Sequence, residues 1–177
     1  MKQSKVIALS ALCSAFAIIF LTVGAFIPVF DYSAIFMAGM CTMLPLAKKS
    51  WKGGLMSYMA TAALSFIFFF GTNPAMVVTY TIFFGAHPTV SYLLKEKKFN
   101  KILATIIKIV WFVGALMLVY ALFSSFLFED SILTNQTFQK YAYLILAVGG
   151  AILSIVYDLV MMHFQTAIDK TIEKLKI

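Results

Sequence analysis

Charged side chains are scarce in this 177-residue chain. They make up 12% of the residues, against 62% that are hydrophobic, whereas soluble domains average about 25% charged and about 45 to 50% apolar residues. This composition excludes a sizeable soluble domain. A spanning helix needs roughly 20 mostly apolar residues to cross a hydrocarbon core of about 30 Å. The chain therefore has room for several membrane spans and little else, and we expect an all-α polytopic membrane protein.

Arginine is absent, and the 14 basic residues, all lysine, face only 7 acidic ones. A net charge of +7 often indicates a nucleic-acid partner, but these lysines form short clusters between apolar runs. We expect no nucleic-acid partner and interpret the lysines as orienting the chain in the lipid bilayer. Cys13 and Cys41 lie in apolar segments without Cys-x-x-Cys spacing, which argues against a disulfide framework or a structural zinc site.

Motifs of enzymes are also missing. The sequence has no phosphate-binding glycine loop, no His-Glu-x-x-His and no Gly-x-Ser-x-Gly elbow. Asp158 is the sole carboxylate inside a predicted span, so the paired acids of an intramembrane protease are lacking. Neither His87 nor His163 is accompanied in the sequence by a cluster of cysteines or carboxylates. We expect no enzymatic activity, no cofactor and no metal site.

Charged and turn-forming residues divide the chain into six apolar segments. Their predicted bounds are 6–29, 34–47, 54–70, 74–94, 102–128 and 141–164. The second segment is short, so we expect that its helix is tilted little, extends back through 31–33 or is partly unwound near Pro45. No internal repeat or linker separates the segments, and residues 1–177 are predicted to form a single bundle.

The lysines predict how this bundle is oriented, because short cytoplasmic loops carry an excess of basic residues. Lysine clusters precede the first segment and follow the second, fourth and sixth, and only Lys140 falls on the other side. We therefore expect both termini in the cytoplasm of a multi-pass protein of the cell membrane.

A polar stripe runs along the fourth segment. Asn73, Tyr80 and His87 recur every seven residues, a period that drifts by only about 20° per repeat on a helix. Polar groups are costly in lipid, so the stripe should face the bundle interior. It either contacts a ligand or forms hydrogen bonds between helices. Gly85 and Pro88 flank His87 and predict a kink or an interruption there.

Two charged side chains lie inside the predicted spans. Lys108 and Asp158 lie at similar depths on consecutive antiparallel helices, measured at about 1.5 Å per residue from the outer ends. We predict that they approach each other near the cytoplasmic interface, because an ionisable group there requires a partner or water. The alternative is that Lys108 extends alone to the lipid headgroups.

Small residues on the first helix support a family resemblance. Ala11 and Ala15 are one turn apart, and such a pair allows another helix to approach closely. The segment 5–15, KVIALSALCSA, resembles the first helix of the substrate-binding S components of energy-coupling factor (ECF) transporters. The following order is also similar: an outer loop at 27–33, a short second helix, a basic turn and the segment 52–64. The resemblance in length, spans and termini covers nearly the whole chain.

The resemblance implies a bacterial membrane subunit that captures a vitamin or related micronutrient from outside the cell. In that family the Ala-x-x-x-Ala motif docks on a transmembrane coupling subunit, which works with two cytoplasmic ATPases. The pocket would lie at the outer ends of the later helices. The candidate substrate-binding residues, chosen by depth and polarity, are Asp31, Tyr32, Asn73, Tyr80, Asn135, Gln136 and Tyr141. The alternatives are a self-contained small permease or channel, and a membrane assembly factor without a small ligand.

Overall fold

The computed structural model describes the backbone of residues 3–127 and 136–174, and the side chains of 3–124 and 140–174. Every regular element in these ranges is helical. The α-helices are α1 (Gln3–Phe26), α2 (Asp31–Cys41), α3 (Met43–Ala47), α4 (Trp51–Phe69), α5 (Pro74–Thr79), α6 (His87–Glu96), α7 (Lys101–Leu127) and α8 (Gln136–Lys174). A short 3₁₀ turn, Pro28–Phe30, precedes α2, and a π-helical turn, Tyr80–Phe84, separates α5 from α6. The predicted all-α class is confirmed for the described part of the chain.

Four helical stretches are long and apolar enough to cross a membrane. They are Gln3–Phe26, Pro28–Ala47, Lys101–Ser124 and Lys140–Lys174, and they match the first, second, fifth and sixth predicted spans. The third predicted span falls on α4, and the fourth falls on the interrupted segment from α5 to α6; neither meets the same measure. The helices are compatible with a membrane protein.

The second predicted span is both extended at its start and broken near Pro45, which are two of the departures expected from its short length. Its helix begins at Asp31, three residues before the predicted start, and breaks at Thr42. Pro45 follows the break and cannot donate a backbone hydrogen bond to the preceding turn. At the break, the Thr42 hydroxyl donates to the Gly39 carbonyl at 2.8 Å.

Helix α1 packs against α2 and α4 through small residues. The Ser10 hydroxyl donates to the Gly53 carbonyl at 2.9 Å, and the Ser14 hydroxyl donates to the Ser57 carbonyl at 3.1 Å. Gly24 lies so close to α2 that an added Cβ would stand 2.6 Å from the Ala34 methyl group. Short side chains that hydrogen-bond to a neighbouring backbone allow helices to pack closely without lipid between them.

The interrupted segment lies between this N-terminal group of helices and the pair formed by α7 and α8. One apolar cluster joins α1, α2, α4 and α5 and includes Leu21, Ile35 and Tyr80. A second cluster surrounds Phe83 and joins the π-helical turn to α7 and α8. The interrupted segment therefore contacts both halves of the core.

Candidate functional site

The fourth predicted span is interrupted at the position that the sequence indicated. Asn73 caps α5, because its Oδ1 accepts a hydrogen bond from the Met76 backbone N–H at 3.0 Å. In the π-helical turn the Gly85 N–H donates to the Tyr80 carbonyl at 2.8 Å. Pro88, in the first turn of α6, has no N–H with which to continue the helix. The prediction of an interruption near His87 is confirmed.

Two tyrosines stabilise the interrupted segment. The Tyr58 hydroxyl of α4 donates to the Thr81 carbonyl at 2.8 Å, which satisfies a backbone group within the π-helical turn. Gly85 leaves room for both rings: an added Cβ would stand 2.7 Å from Tyr80 Cζ and 2.8 Å from Tyr58 Cδ2. Turns of this type are frequent at functional sites.

The polar stripe faces the interior, as predicted. Asn73 is half-buried, while Tyr80 is 0% and His87 is 1% exposed. Tyr80 belongs to the first apolar cluster. Its hydroxyl is near Thr61 but forms no hydrogen bond of good geometry with the described residues.

Asn73 also pairs with Asp31 from the start of α2. Its Nδ2 donates to Asp31 Oδ2 at 3.1 Å, so two candidate substrate-binding residues meet across the fold. The other carboxylate oxygen, Oδ1, is buried and has no hydrogen-bond partner among the described residues. We call this contact the rim pair.

The remaining substrate-binding candidates are more dispersed. Tyr32 is exposed, and Tyr80 lies in the core about two helical turns beyond Asn73. Tyr141 is exposed near the start of α8, where the Lys140 ammonium lies 5.4 Å from its ring centroid. Asn135 lies outside the described residues. Gln136 begins α8, but its side chain lies outside them as well.

A second polar site lies deeper in the bundle. Lys108 Nζ on α7 donates to both carboxylate oxygens of Asp158 on α8, each at 2.5 Å. Lys108 is 7% exposed, so it pairs within the bundle and does not extend alone to the surface. The predicted approach of these two residues is confirmed.

His87 joins this pair, which the sequence analysis missed. Its Nε2 lies 3.3 Å from Asp158 Oδ1, with the Ser91 hydroxyl 3.5 Å from the same nitrogen. The sequence shows no cluster of cysteines or carboxylates beside His87, and the structure adds one carboxylate from a distant helix. The signal in the sequence was the placement of a histidine on an interior stripe, but its partner lies on a distant helix. We call His87, Lys108 and Asp158 the buried charge cluster.

Aromatic rings enclose the cluster. The centroids of the Phe83 and Tyr157 rings lie 5.0 Å and 4.8 Å from that of His87. Trp111 and Phe112 pack in turn against Phe83. Charges in such apolar surroundings are tolerated only when they are paired and hydrogen-bonded, a requirement that the contact between lysine and aspartate meets.

The cluster is a poor metal site. Across residues 3–127 and 136–174, no three histidine, cysteine, aspartate or glutamate side chains converge as metal ligands would. The Lys108 ammonium binds both oxygens of the Asp158 carboxylate, and its positive charge would repel a cation. The cluster instead holds three titratable groups, in which Asp158 contacts both His87 and Lys108.

Helix α1 presents two different faces. Ser10 and Ser14 are buried against α4, whereas Ala11 and Ala15 are exposed. In this part of α1 the contact with α4 is therefore made by the serines and not by the two alanines. The proposed docking alanines are open on the surface of the chain.

Searches of protein-family models, curated proteins and solved structures gave no match to this chain.

Proposed function

We propose that this chain is the substrate-binding S component of an ECF-type importer in a bacterial cell membrane. It would span the membrane six times with both termini inside, and capture a vitamin or related micronutrient from outside. The partners would be a transmembrane coupling subunit and two cytoplasmic ATPases. The observation that carries the proposal is the division of α1 into a packed face and an open face.

The open face fits a subunit that needs a partner helix. The alanine side chains of Ala11 and Ala15 end at one methyl group, so a second helix can approach the α1 backbone closely. The neighbouring face, about 100° around the helix, is already occupied, because Ser10 and Ser14 hydrogen-bond to α4. A partner could dock on α1 without disturbing the internal packing.

The rim pair supports a binding role at the other end of α1. Asp31 and Asn73 place a carboxylate and an amide together where α2 and α5 begin. The lysine-rich turns follow the opposite ends of these segments in the chain. In the proposed orientation the rim pair faces outward, on the side from which a nutrient arrives.

A matched pair of substitutions on α1 tests the proposal. Ala15→Trp should block association with the coupling subunit and abolish uptake, while the stability and ligand affinity of the isolated protein stay unchanged. Ala17→Trp is the control, because Ala17 is buried and a larger side chain there should cost about 1 to 3 kcal/mol of stability. Normal association in Ala15→Trp, measured by co-purification from cells that express the complete transporter, would contradict the docking role.

A self-contained small permease is a second candidate, favoured by the buried charge cluster beside an interrupted helix. Ionisable residues inside membranes often mark transport pathways, and interrupted helices line the binding sites of many transporters. Vesicles that contain only this chain separate the two functions. A permease moves its substrate in them, whereas an S component binds its ligand and moves nothing without its partners.

A further inference from the structure

The buried charge cluster lies away from the rim pair and has no role in the proposed capture of a nutrient. It connects three helices, since His87 begins α6, Lys108 belongs to α7 and Asp158 belongs to α8. Placing ionisable groups in an aromatic interior costs free energy. Apolar residues of similar size would pack these helices together without that cost. The presence of three ionisable side chains at these positions therefore indicates a role other than packing.

The geometry around His87 defines which of its nitrogens is free. Nε2 lies 3.3 Å from Asp158 Oδ1, and we assign the hydrogen of the neutral ring to this nitrogen because the ionised carboxylate beside it can only accept. Nδ1 is then a bare acceptor. Nδ1 is buried and has no hydrogen-bond partner among the described residues.

Several hydroxyl groups in the core share this property, and two of them belong to tyrosines. The hydroxyls of Tyr80 and Tyr157 are buried without a hydrogen-bond partner in the described part of the chain. An added Cβ at Gly39 would stand 3.5 Å from the Tyr157 hydroxyl and 2.9 Å from the Phe84 carbonyl, so this hydroxyl lies beside the interrupted segment. Unpaired polar groups in a core are usually met by water or by a ligand.

We propose that the buried charge cluster is a proton-binding site in which Nδ1 of His87 takes up the proton. The proton comes from a hydronium ion of the surrounding water: its O–H bond breaks, an N–H bond forms at Nδ1, imidazole becomes imidazolium and the hydronium becomes water. Within the cluster no other bond changes, because Lys108 and Asp158 stay paired throughout. The inference does not depend on the proposed function.

The groups around His87 act in opposite directions on its charged form. Asp158 attracts the imidazolium, whereas Lys108 repels it and the apolar surroundings of the ring disfavour a charge. Of the other helices that contact α6, α3 offers no titratable side chain, and α2 offers Asp31, Tyr32 and Cys41. Helix α4 offers Lys52, which is exposed, and Tyr58, whose hydroxyl donates a hydrogen bond to the Thr81 carbonyl.

Proton uptake would change the interrupted segment directly. The cluster is neutral when lysine and aspartate are paired and His87 is uncharged, and it gains one positive charge when His87 is protonated. The contact between His87 and Asp158 then becomes a charge-assisted hydrogen bond, which is stronger than a neutral one. Protons would thereby tighten α6 against α8.

The chain suits a direct test because its two histidines differ in exposure. His87 is buried, whereas His163 is exposed. In a His163→Gln variant labelled with ¹⁵N-histidine and held in lipid nanodiscs, NMR should show His87 gaining a proton reversibly at Nδ1 between about pH 8.5 and 5. Flat nitrogen shifts over this range, or protonation at Nε2, would overturn the proposal.

Two further substitutions test the assignment to the cluster. Asp158→Asn should lower the pH of half-protonation of His87 by roughly one unit or more, and Lys108→Met should raise it. The control is a His87→Gln variant, in which His163 supplies the histidine signal. Neither Asp158→Asn nor Lys108→Met should alter the ring-nitrogen shifts of His163 there. If both substitutions leave the His87 titration where it was, the cluster is not the proton site.

Discussion

The rim pair and the buried charge cluster both join side chains that are far apart in the sequence, yet their surroundings differ. Asp31 and Asn73 are half-buried, and each also serves the beginning of its own helix: Asn73 caps α5, and Asp31 lies in the first turn of α2. Lys108 and His87 are almost completely enclosed by the core. A carboxylate at a helix end can therefore be supported locally, whereas one inside the bundle depends on its partners.

The largest effect is expected from removing the cation of the buried charge cluster. Lys108→Met leaves the Asp158 carboxylate in the core with only His87 beside it, and breaking a buried ion pair costs about 3 to 5 kcal/mol. Chemical unfolding in detergent micelles measures this loss. The double variant Lys108→Met/Asp158→Leu is the control, because it leaves no charge unpaired and should recover much of the stability. A loss as small as that of a surface ion pair, about 0 to 1 kcal/mol, would show that the buried charge cluster depends on its partners no more than the half-buried rim pair does.

A smaller effect is expected where α2, which carries Asp31 of the rim pair, packs against the interrupted segment, which carries His87 of the buried charge cluster. Gly39 on α2 lies against the interrupted segment, and an added Cβ would stand 2.9 Å from the Phe84 backbone carbonyl. Because a backbone atom cannot move aside easily, Gly39→Ala should lower the free energy of unfolding by about 1 to 3 kcal/mol.

Gly114 provides the matched control for that substitution. It is exposed within α7, and among the described residues nothing beyond the adjacent helix backbone and its chain neighbours lies within 4 Å of an added Cβ. Gly114→Ala should therefore be neutral or stabilise the protein by about 0.5 to 1 kcal/mol. Equal unfolding midpoints for the Gly39→Ala variant and the unchanged protein would show that α2 and the interrupted segment can separate at no cost.

The smallest effect is expected at the rim pair. Asn73→Ala removes both the cap of α5 and the hydrogen bond to Asp31, and a lost cap costs about 0.5 to 2 kcal/mol. Asn73→Ser keeps a capping oxygen but lacks the amide that reaches Asp31, so it should retain most of the stability. Thermal unfolding of the two variants separates capping from pairing.

Ligand binding then distinguishes a capping residue from a substrate contact. If the polar stripe contacts substrate, Asn73→Ser and Tyr80→Phe should both weaken ligand affinity in calorimetric titrations. Tyr80→Phe removes a hydroxyl without a hydrogen-bond partner of good geometry among the described residues, so its stability should change little. Unchanged affinity in both variants would assign the stripe to packing.

Several features of the fold could be predicted from local sequence. Apolar length predicted the long helices, and Gly85 with Pro88 predicted the interruption, because a proline without an N–H acts on its own turn. Counting residues from the helix ends brought Lys108 and Asp158 to one depth, since the rise per residue is constant along a helix. These predictions succeeded because each depends on properties of one helix or of two consecutive helices.

Only the tertiary structure decided which side chains from distant helices meet. The sequence placed His87 on an interior stripe, but the packing of α6 against α8 gave it Asp158 as a partner. Packing likewise joined Asp31 to Asn73 and left Tyr32 exposed. On α1 it turned Ser10 and Ser14 inward, and Ala11 and Ala15 outward. The physical reason is that helix formation depends on nearby residues, whereas the rotation and pairing of helices depend on how all the faces fill a shared core.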